Sequence, residues 1–492
     1  MSGRLRAGAL VVALLAAACG GGSADPSDAA GTATTSSSST TVSETTTTTV
    51  TEDLDDGSEP LEEPIAPEVE VVISPVRDVG FAELAGLAGG LGGEPYVVTS
   101  ADDRGPGTYR DALSASGRYI TFDPALDGAT IELESRVEID SSHLTLDGSG
   151  VDITVTGYAT KFSGTDIVIA GMAYADVTAT GDEDALTFLT PTEPQLIGLF
   201  GNTFRTASDG LVDLIWNEGN DVHATVCGNA FLDHDKAFLV HSGDTGREGG
   251  RYHVTMCRNL WSDVFQRAPL SRDSFVHQYN SVFLDYGHPD GAGGGSKAGS
   301  GELGAEHVLE KNIARPRSAG SVAWNGAVVT EPRAEFAGPS LSDGGRIRID
   351  GSLLLASDTT QAIENEREPE GVFDPPSAAV VLDATPALSD LVMRTAGTCP
   401  ARSAPSTVNP CAWPALLGGG GAVEVLVSGP VEQIELFIDG ESVAQVTAID
   451  VRWVVVPDVS DDRLVGVGEL VAVATLADGR TVASEPVEVF VG

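Results

Sequence analysis

The sequence predicts an all-β chain: a right-handed parallel β-helix followed by a small C-terminal β-sandwich. Two repeated spacings and one strand pattern carry that expectation. The first spacing joins Asp184, Asp209, Lys236 and Arg267, at steps of 25, 27 and 31 residues. The second joins GNTF (201–204), GNAF (228–231), RNLW (258–261), NSVF (280–283) and KNIA (311–314). In each, Asn202, Asn229, Asn259 or Asn312, or Ser281 in the Asn place, is followed two positions later by an apolar residue. Self-similarity at this period marks a stacked solenoid. The repeating units are short, rich in Val, Ile and Thr, and broken by Gly, Asn and Asp, so they are strands and turns rather than helix pairs. The Asn series then forms a ladder at one turn of each coil, amide bonding to amide.

Coils stack about 4.8 Å apart, so residues at matching positions line up on one face. Asp209 and Asp213 differ by an even number and point the same way if they share a strand. Asp184, the Asp209/Asp213 pair, Lys236 and Arg267 would occupy four successive coils, about 14 Å from first to last, the length of a few sugar rings. Three carboxylates followed by the cations Lys236, Arg267 and Arg272 make a divalent-metal site beside an anion site. Hard oxygen ligands suit Ca²⁺.

The motif D-G-x-x-D (209–213), the run D-H-D-K (233–236) and R-x-P-x-x-R (267–272) follow one another on this ladder. Together they resemble the pectate lyases, Ca²⁺-dependent parallel β-helix enzymes of polysaccharide lyase family 1, over roughly residues 78 to 398. The resemblance implies Ca²⁺ ligands at Asp184, Asp209 and Asp213, with Asp182 near a second ion. It implies Arg267 as the base that takes the sugar C5 proton, and Lys236 and Arg272 as partners of the substrate carboxylate. Three departures stand out. GLFG (198–201) replaces the family's W-I-D-H run, Leu270 stands where an extra Arg is common, and Cys257-Arg258 replaces an H-N pair.

Elimination across C4–C5 of a uronate removes a proton α to a carboxylate. Ca²⁺ on that carboxylate acts as a Lewis acid, and Lys236 with Arg272 would stabilise the charge that develops. A free guanidinium gives up its proton only above about pH 12, so an alkaline optimum is expected. The implied substrate is pectate. Another polyuronate or methylated pectin is the first alternative; pectin lyases of this fold lack the Ca²⁺ aspartates. A non-catalytic, glycan-binding surface β-helix is the second. The retained Arg267 and Lys236 separate it from an enzyme.

From the N-terminus, residues 1–19 carry Arg4 and Arg6, an apolar run and small residues before Cys19. This reads as a lipoprotein signal peptide, with a lipid anchor at Cys19 as the membrane attachment and a cell-surface, extracellular location. No later run is long enough to span a bilayer. Residues 20–75 are Thr/Ser-rich and then acidic and Pro-rich, a linker that cannot bury a core. Formal charge is −44, from 72 Asp and Glu against 28 Lys and Arg. That balance argues against nucleic acid and repels a polyanion at long range, so Ca²⁺ and the Lys236/Arg267/Arg272 cluster must overcome it locally. A monomer is expected.

The β-helix is placed at 76–398. GFAELAGLAGGLGG (80–93) reads as an opening segment over the open end of the solenoid, and a short helix should begin near Tyr109. YITF, TIEL, VEI, LTLDG, DITVTG and DIVIAG follow as strands between 119 and 171. HPDGAGGGSKAGSG (288–301) reads as a long loop. Cys227 and Cys257 share one slot of successive coils and either bridge or stack as free thiols. Cys399 and Cys411 flank a Pro/Ser-rich connector (399–418) and should form a disulfide. Residues 419–492 alternate strands and turns at regular spacing, a β-sandwich that resembles bacterial immunoglobulin-like modules.

Overall fold

The computed structural model describes residues 71–75, 80–189, 193–215, 220–241, 251–286 and 300–317, with shorter stretches between 340 and 491. The signal peptide, the linker up to residue 70, and most of the 288–301 insert lie outside the described residues. None of the described helices is long and apolar enough to cross a membrane.

Three strand-bearing faces build each coil. One face is a sheet of ten parallel strands running from Glu94–Val98 to Arg346–Asp350. The other two faces share a 17-stranded sheet. Thr203–Ala207 and Gly210–Ile215 are its two segments in one coil, and Ala230–Val240 runs through both in the next. The corner between these faces needs a left-handed residue in each coil. Asp176, Thr206, Asp233, Asp263 and Asp285 supply it, at φ between 49° and 55°. Four of the five are Asp, whose short side chain tolerates that region better than most.

The expected amide ladder is present at the turn leaving the ten-stranded sheet. Asn229 Oδ1 accepts from Asn202 N at 2.9 Å, and Asn259 Oδ1 accepts from Asn229 N at 2.9 Å. Ser281 continues it, its Oγ accepting from Asn259 N at 3.3 Å, and Asn312 Oδ1 accepts from Ser281 N at 2.9 Å. The residue before each ladder position is left-handed: Gly201, Gly228, Arg258, Asn280 and Lys311. Two places on, the apolar residues of the same repeat stack inside the coil. Tyr174, Phe204, Phe231, Trp261 and Phe283 form one column with ring centroids 4.2 to 6.2 Å apart. All are buried, each such side chain contributing about 1.5–3 kcal/mol.

The chain ends pack differently from the expectation. The helix Tyr109–Ala112 forms behind an N-cap at Thr108, and Tyr109 is buried in the core with its hydroxyl 3.2 Å from that of Tyr174. The segment from residue 80 does not lie over the open end. It packs against the outer side of the ten-stranded sheet, where Phe81 N donates to Thr255 Oγ1 (3.1 Å) and Ala82 N to Thr225 Oγ1 (3.2 Å). Outward-facing Thr225, Thr255, Val168 and Phe200 form a part-apolar surface, and this segment covers it. A second covering helix, Pro386–Thr395, was not anticipated. Its signal was Thr385 as N-cap followed by Pro386, and Leu388, Leu391 and Val392 bury against Leu260, Val282 and Ile313.

Both cysteine pairs are bridged, Cys227 to Cys257 and Cys399 to Cys411. Paired register puts the first two side by side, with Cα atoms 4.5 Å apart. Ser300–Glu302, at the end of the segment read as a loop, is a strand paired with Leu270–Arg272. Val71–Pro75, read as linker, is also a strand; it pairs antiparallel with Val423–Val427, which pairs in turn with Arg452–Val455. A six-stranded, mostly antiparallel sheet completes the C-terminal region, built around Val431–Ile438 and Gly466–Leu476. It takes in Ala415–Leu417, which falls within the expected connector.

Candidate active site

The site forms where Gly210–Ile215 lies between Leu186–Leu189 and Ala230–Val240. Register pairs Thr187 with Asp213, and Gly210 with Lys236. Asp184 therefore neighbours Gly210 rather than Asp209: Gly210 N donates to Asp184 Oδ1 at 2.9 Å. The chain bends at 208–209, which takes Asp209 out of the strand alternation that even spacing with Asp213 had suggested. The three carboxylates still gather on one face, because Gly210 has no side chain. A Cβ there would lie 2.8 Å from both Asp184 Oδ1 and Asp213 Oδ1.

Asp184 and Asp213 are buried, at 8% and 5% exposure. Thr187 Oγ1 donates to Asp184 Oδ2 at 3.2 Å. Asp213 Oδ1 is buried with no hydrogen-bond partner among the described residues. Burial pushes the Asp184 carboxyl above the usual range, and the neighbouring Asp209 charge adds to this against the Gly210 hydrogen bond. Burial pushes Asp213 well up, with Asp184 adding to it and Arg267 opposing. Two buried carboxylates that resist ionisation together, one with an orphaned oxygen, fit a hard divalent cation. Such an ion supplies the missing partner and removes the mutual repulsion.

The cations stand on the following coils. Lys236 Nζ is ion-paired with Asp209 Oδ1, both side chains being partly buried. His234 Nε2 donates to the Asp209 carbonyl at 2.7 Å, so it orients that residue through its backbone. Arg267 follows the strand Leu260–Gln266 in a left-handed conformation, φ 62°. Its carbonyl accepts from Phe238 N at 2.7 Å. Its guanidinium Nη1 lies 3.8 Å from Asp213 Oδ2, and Nε and Nη1 are buried without a hydrogen-bond partner among the described residues. Arg272 is held elsewhere: Nε donates to Glu302 Oε2 at 3.0 Å and Nη1 to the His241 carbonyl at 3.4 Å. Asp182 is exposed at the rim.

The geometry thus brings together Asp184, Asp209, Asp213, Lys236 and Arg267, and gives Arg272 an acidic partner of its own. Sequence reasoning missed three contributors. Gly210 sat inside the D-G-x-x-D motif, and its role follows only from the crowding around it. Thr187 was three residues from Asp184 with no signal. Glu302 lies just beyond the 288–301 insert and becomes Arg272's neighbour only through strand pairing.

Comparison with known proteins places residues 200–303 on the family model described as pectate lyase. A pectate trisaccharide-lyase of Thermotoga sp. (strain RQ2) is 27% identical over 221 residues, 42% of this chain and 57% of the relative. Pectate lyase 1 of Juniperus virginiana is 28% identical over 233 residues, 42% of this chain and 60% of the relative. The chain therefore spans less than two thirds of the length of these relatives. A solved pectate lyase from Bacillus sp. N165, in complex with trigalacturonate, aligns at 18% identity and a TM-score of 0.49, over 65% of this chain and 99% of its own. The chain carries a pectate lyase-like β-helix.

Proposed function

We propose that this protein is a Ca²⁺-dependent polysaccharide lyase that cleaves pectate by β-elimination. The observation that carries the reading is the juxtaposition of Asp213, with its buried unpaired Oδ1, and Arg267, whose guanidinium has two buried unpaired nitrogens. Asp184, Asp209 and Asp213 would hold the ion, which supplies Lewis acidity toward a substrate carboxylate when bound. Arg267 takes the C5 proton; the C4–C5 double bond forms as the C4–O bond breaks, and the leaving oxygen is protonated from solvent. Lys236 lies next to Asp209, where an entering carboxylate meets an ammonium already oriented. Arg272, anchored by Glu302, lends positive charge from the adjoining coil.

The Cys19 signal and the Thr/Ser stalk support secretion to the cell surface. The two C-terminal sheets are read as an immunoglobulin-like spacer. One observation favours a second reading: Glu302 already occupies Arg272, and Leu270 stands in the same motif, as they could in a β-helix that binds glycans without cutting them. Absorbance of 4,5-unsaturated product on polygalacturonate separates the two. Product with Ca²⁺ and none after EDTA is expected. Ca²⁺-dependent binding without product would select the second reading.

A further inference from the structure

A second group of ligand-type side chains sits on a different face of the coil, the outer side of the ten-stranded sheet. Asp221, His223 and His253 each present one ligand atom, and the three atoms lie within 4.8 Å of one another. Their convergence follows from register. His223 and His253 are paired neighbours on the parallel strands Val222–Cys227 and Tyr252–Cys257. Asp221 is two residues before His223, hence on its side of the sheet. The two rings stack with centroids 4.8 Å apart and planes 10° from parallel.

Each member is oriented. Arg251 N donates to Asp221 Oδ1 at 2.9 Å, which fixes that carboxylate and leaves Oδ2 for another partner. Phe81 meets the His253 ring edge-on at 5.5 Å, and Phe275 lies 5.2 Å away on the far side, so His253 is walled by apolar rings. Neither imidazole makes a hydrogen bond among the described residues. The nearby Arg251 guanidinium lies over Phe275 and is ion-paired at 3.2 Å with Glu306, a carboxylate it shares with Arg346. Burial lowers His223, and burial together with His223 brings His253 down to about 4.

We propose that Asp221, His223 and His253 bind one transition-metal ion, Zn²⁺ in the first instance, through two imidazole nitrogens and one carboxylate oxygen. Two nitrogens and an oxygen favour a borderline ion over Ca²⁺. Zn–N bonds are about 2.0–2.1 Å, so small side-chain rotations must draw the rings together. Three protein ligands leave a fourth position for water. Through the pairing of the two histidine strands the ion would clamp adjacent coils beside the Cys227–Cys257 bridge. This site stands apart from the carboxylate cluster and does not depend on the lyase reading.

The test is calorimetry of the full chain, stripped with EDTA and then kept in millimolar Ca²⁺ to fill any oxygen site, titrated with Zn²⁺ alone. One Zn²⁺ per chain is expected, with affinity falling about tenfold or more in His253→Gln, His223→Gln and Asp221→Asn. His143→Gln, an exposed histidine outside both clusters, should bind as wild type does. Co²⁺ in place of Zn²⁺ should give visible absorption that His223→Gln removes. Asp221 is exposed, so Asp221→Asn keeps the test alive if a histidine variant fails to fold. Absence of Zn²⁺ binding in Ca²⁺ overturns the proposal. So does equal binding by all the variants, or displacement of Zn²⁺ by rising Ca²⁺.

Discussion

The amide ladder and the carboxylate cluster are both products of stacking, and they end in opposite states. In the ladder, each Asn accepts from the backbone of the coil before and donates back to it: Asn229 Nδ2 donates to the Leu199 carbonyl at 2.9 Å while Asn202 N donates to Asn229 Oδ1. Among the described residues, no ladder Asn side chain has a buried atom without a partner. On the other side of the coil, like charges are stacked instead. Burial and then Asp184 push Asp213 up, burial and the Asp209 charge push Asp184 up, and Asp213 Oδ1 and two Arg267 nitrogens have no hydrogen-bond partner among the described residues. The same architecture therefore stabilises in one place and stores electrostatic tension in another. Buried polar groups left unmatched cost about 1–3 kcal/mol each, a cost expected to persist only where a ligand offsets it.

The largest effect should come from Arg267→Lys, which keeps the charge but changes its reach and proton affinity. Turnover on polygalacturonate should fall by about 10²–10⁴, with oligogalacturonate binding much less affected. Joint loss of binding and turnover would make Arg267 a holding residue instead. Next is the ladder. Asn229→Ala strips partners from buried groups on two neighbouring coils, and urea unfolding should show a loss of about 3 kcal/mol. Asn229→Ser should cost clearly less, because Ser281 and Ser352 already accept ladder bonds.

Smaller and opposite in sign is Asp213→Asn. In EDTA it should stabilise the protein by about 1 kcal/mol, since it removes one of two crowded buried charges. In Ca²⁺ the gain should vanish. A melting temperature lowered in both conditions would mean that Asp213 is structurally satisfied as it stands. A gradual, pH-linked effect concerns His307, buried inside the coil with Nε2 against Ser271 Oγ. Burial brings it down to about 3 from 6.5. A depressed histidine stabilises fully above its unfolded value, and that stability is lost as pH falls toward the folded value. Unfolding free energy should therefore decline by about 1 kcal/mol per pH unit just below 6.5. A flat profile between pH 6.5 and 5 would show that His307 is protonated without penalty.

Legibility differed between the two regions for a physical reason. Ladder positions recur with the coil, so Asn202, Asn229, Asn259 and Asn312 announce themselves as a spacing, and their stacked aromatic neighbours follow two residues on. The cluster residues recur too, and the structure brings Asp184, Asp209, Asp213, Lys236 and Arg267 together. Their alignment was wrong by one place, because a bend at 208–209 changes which residue faces Asp184, and no spacing records a bend. Arg272 shows a further limit. Its motif marked it as a substrate partner, yet Glu302 reaches it from a coil 30 residues away.

The sequence by itself determined the coil: residue types that alternate, turn and repeat leave a stack of parallel strands as the arrangement that buries them all. It also determined which charges would share a face, since charges at coil spacing must stack. Tertiary structure alone decided which of those charges are answered. Gly210 leaves room for two carboxylates, Lys236 closes on Asp209, Glu302 takes Arg272, and the segment from residue 80 walls in His253. Each of these depends on where a side chain ends, a matter of ångströms between coils. Sequence periodicity fixes position only to the nearest residue, about 3.3 Å along a strand, and hydrogen bonds and ion pairs are made or lost within that distance.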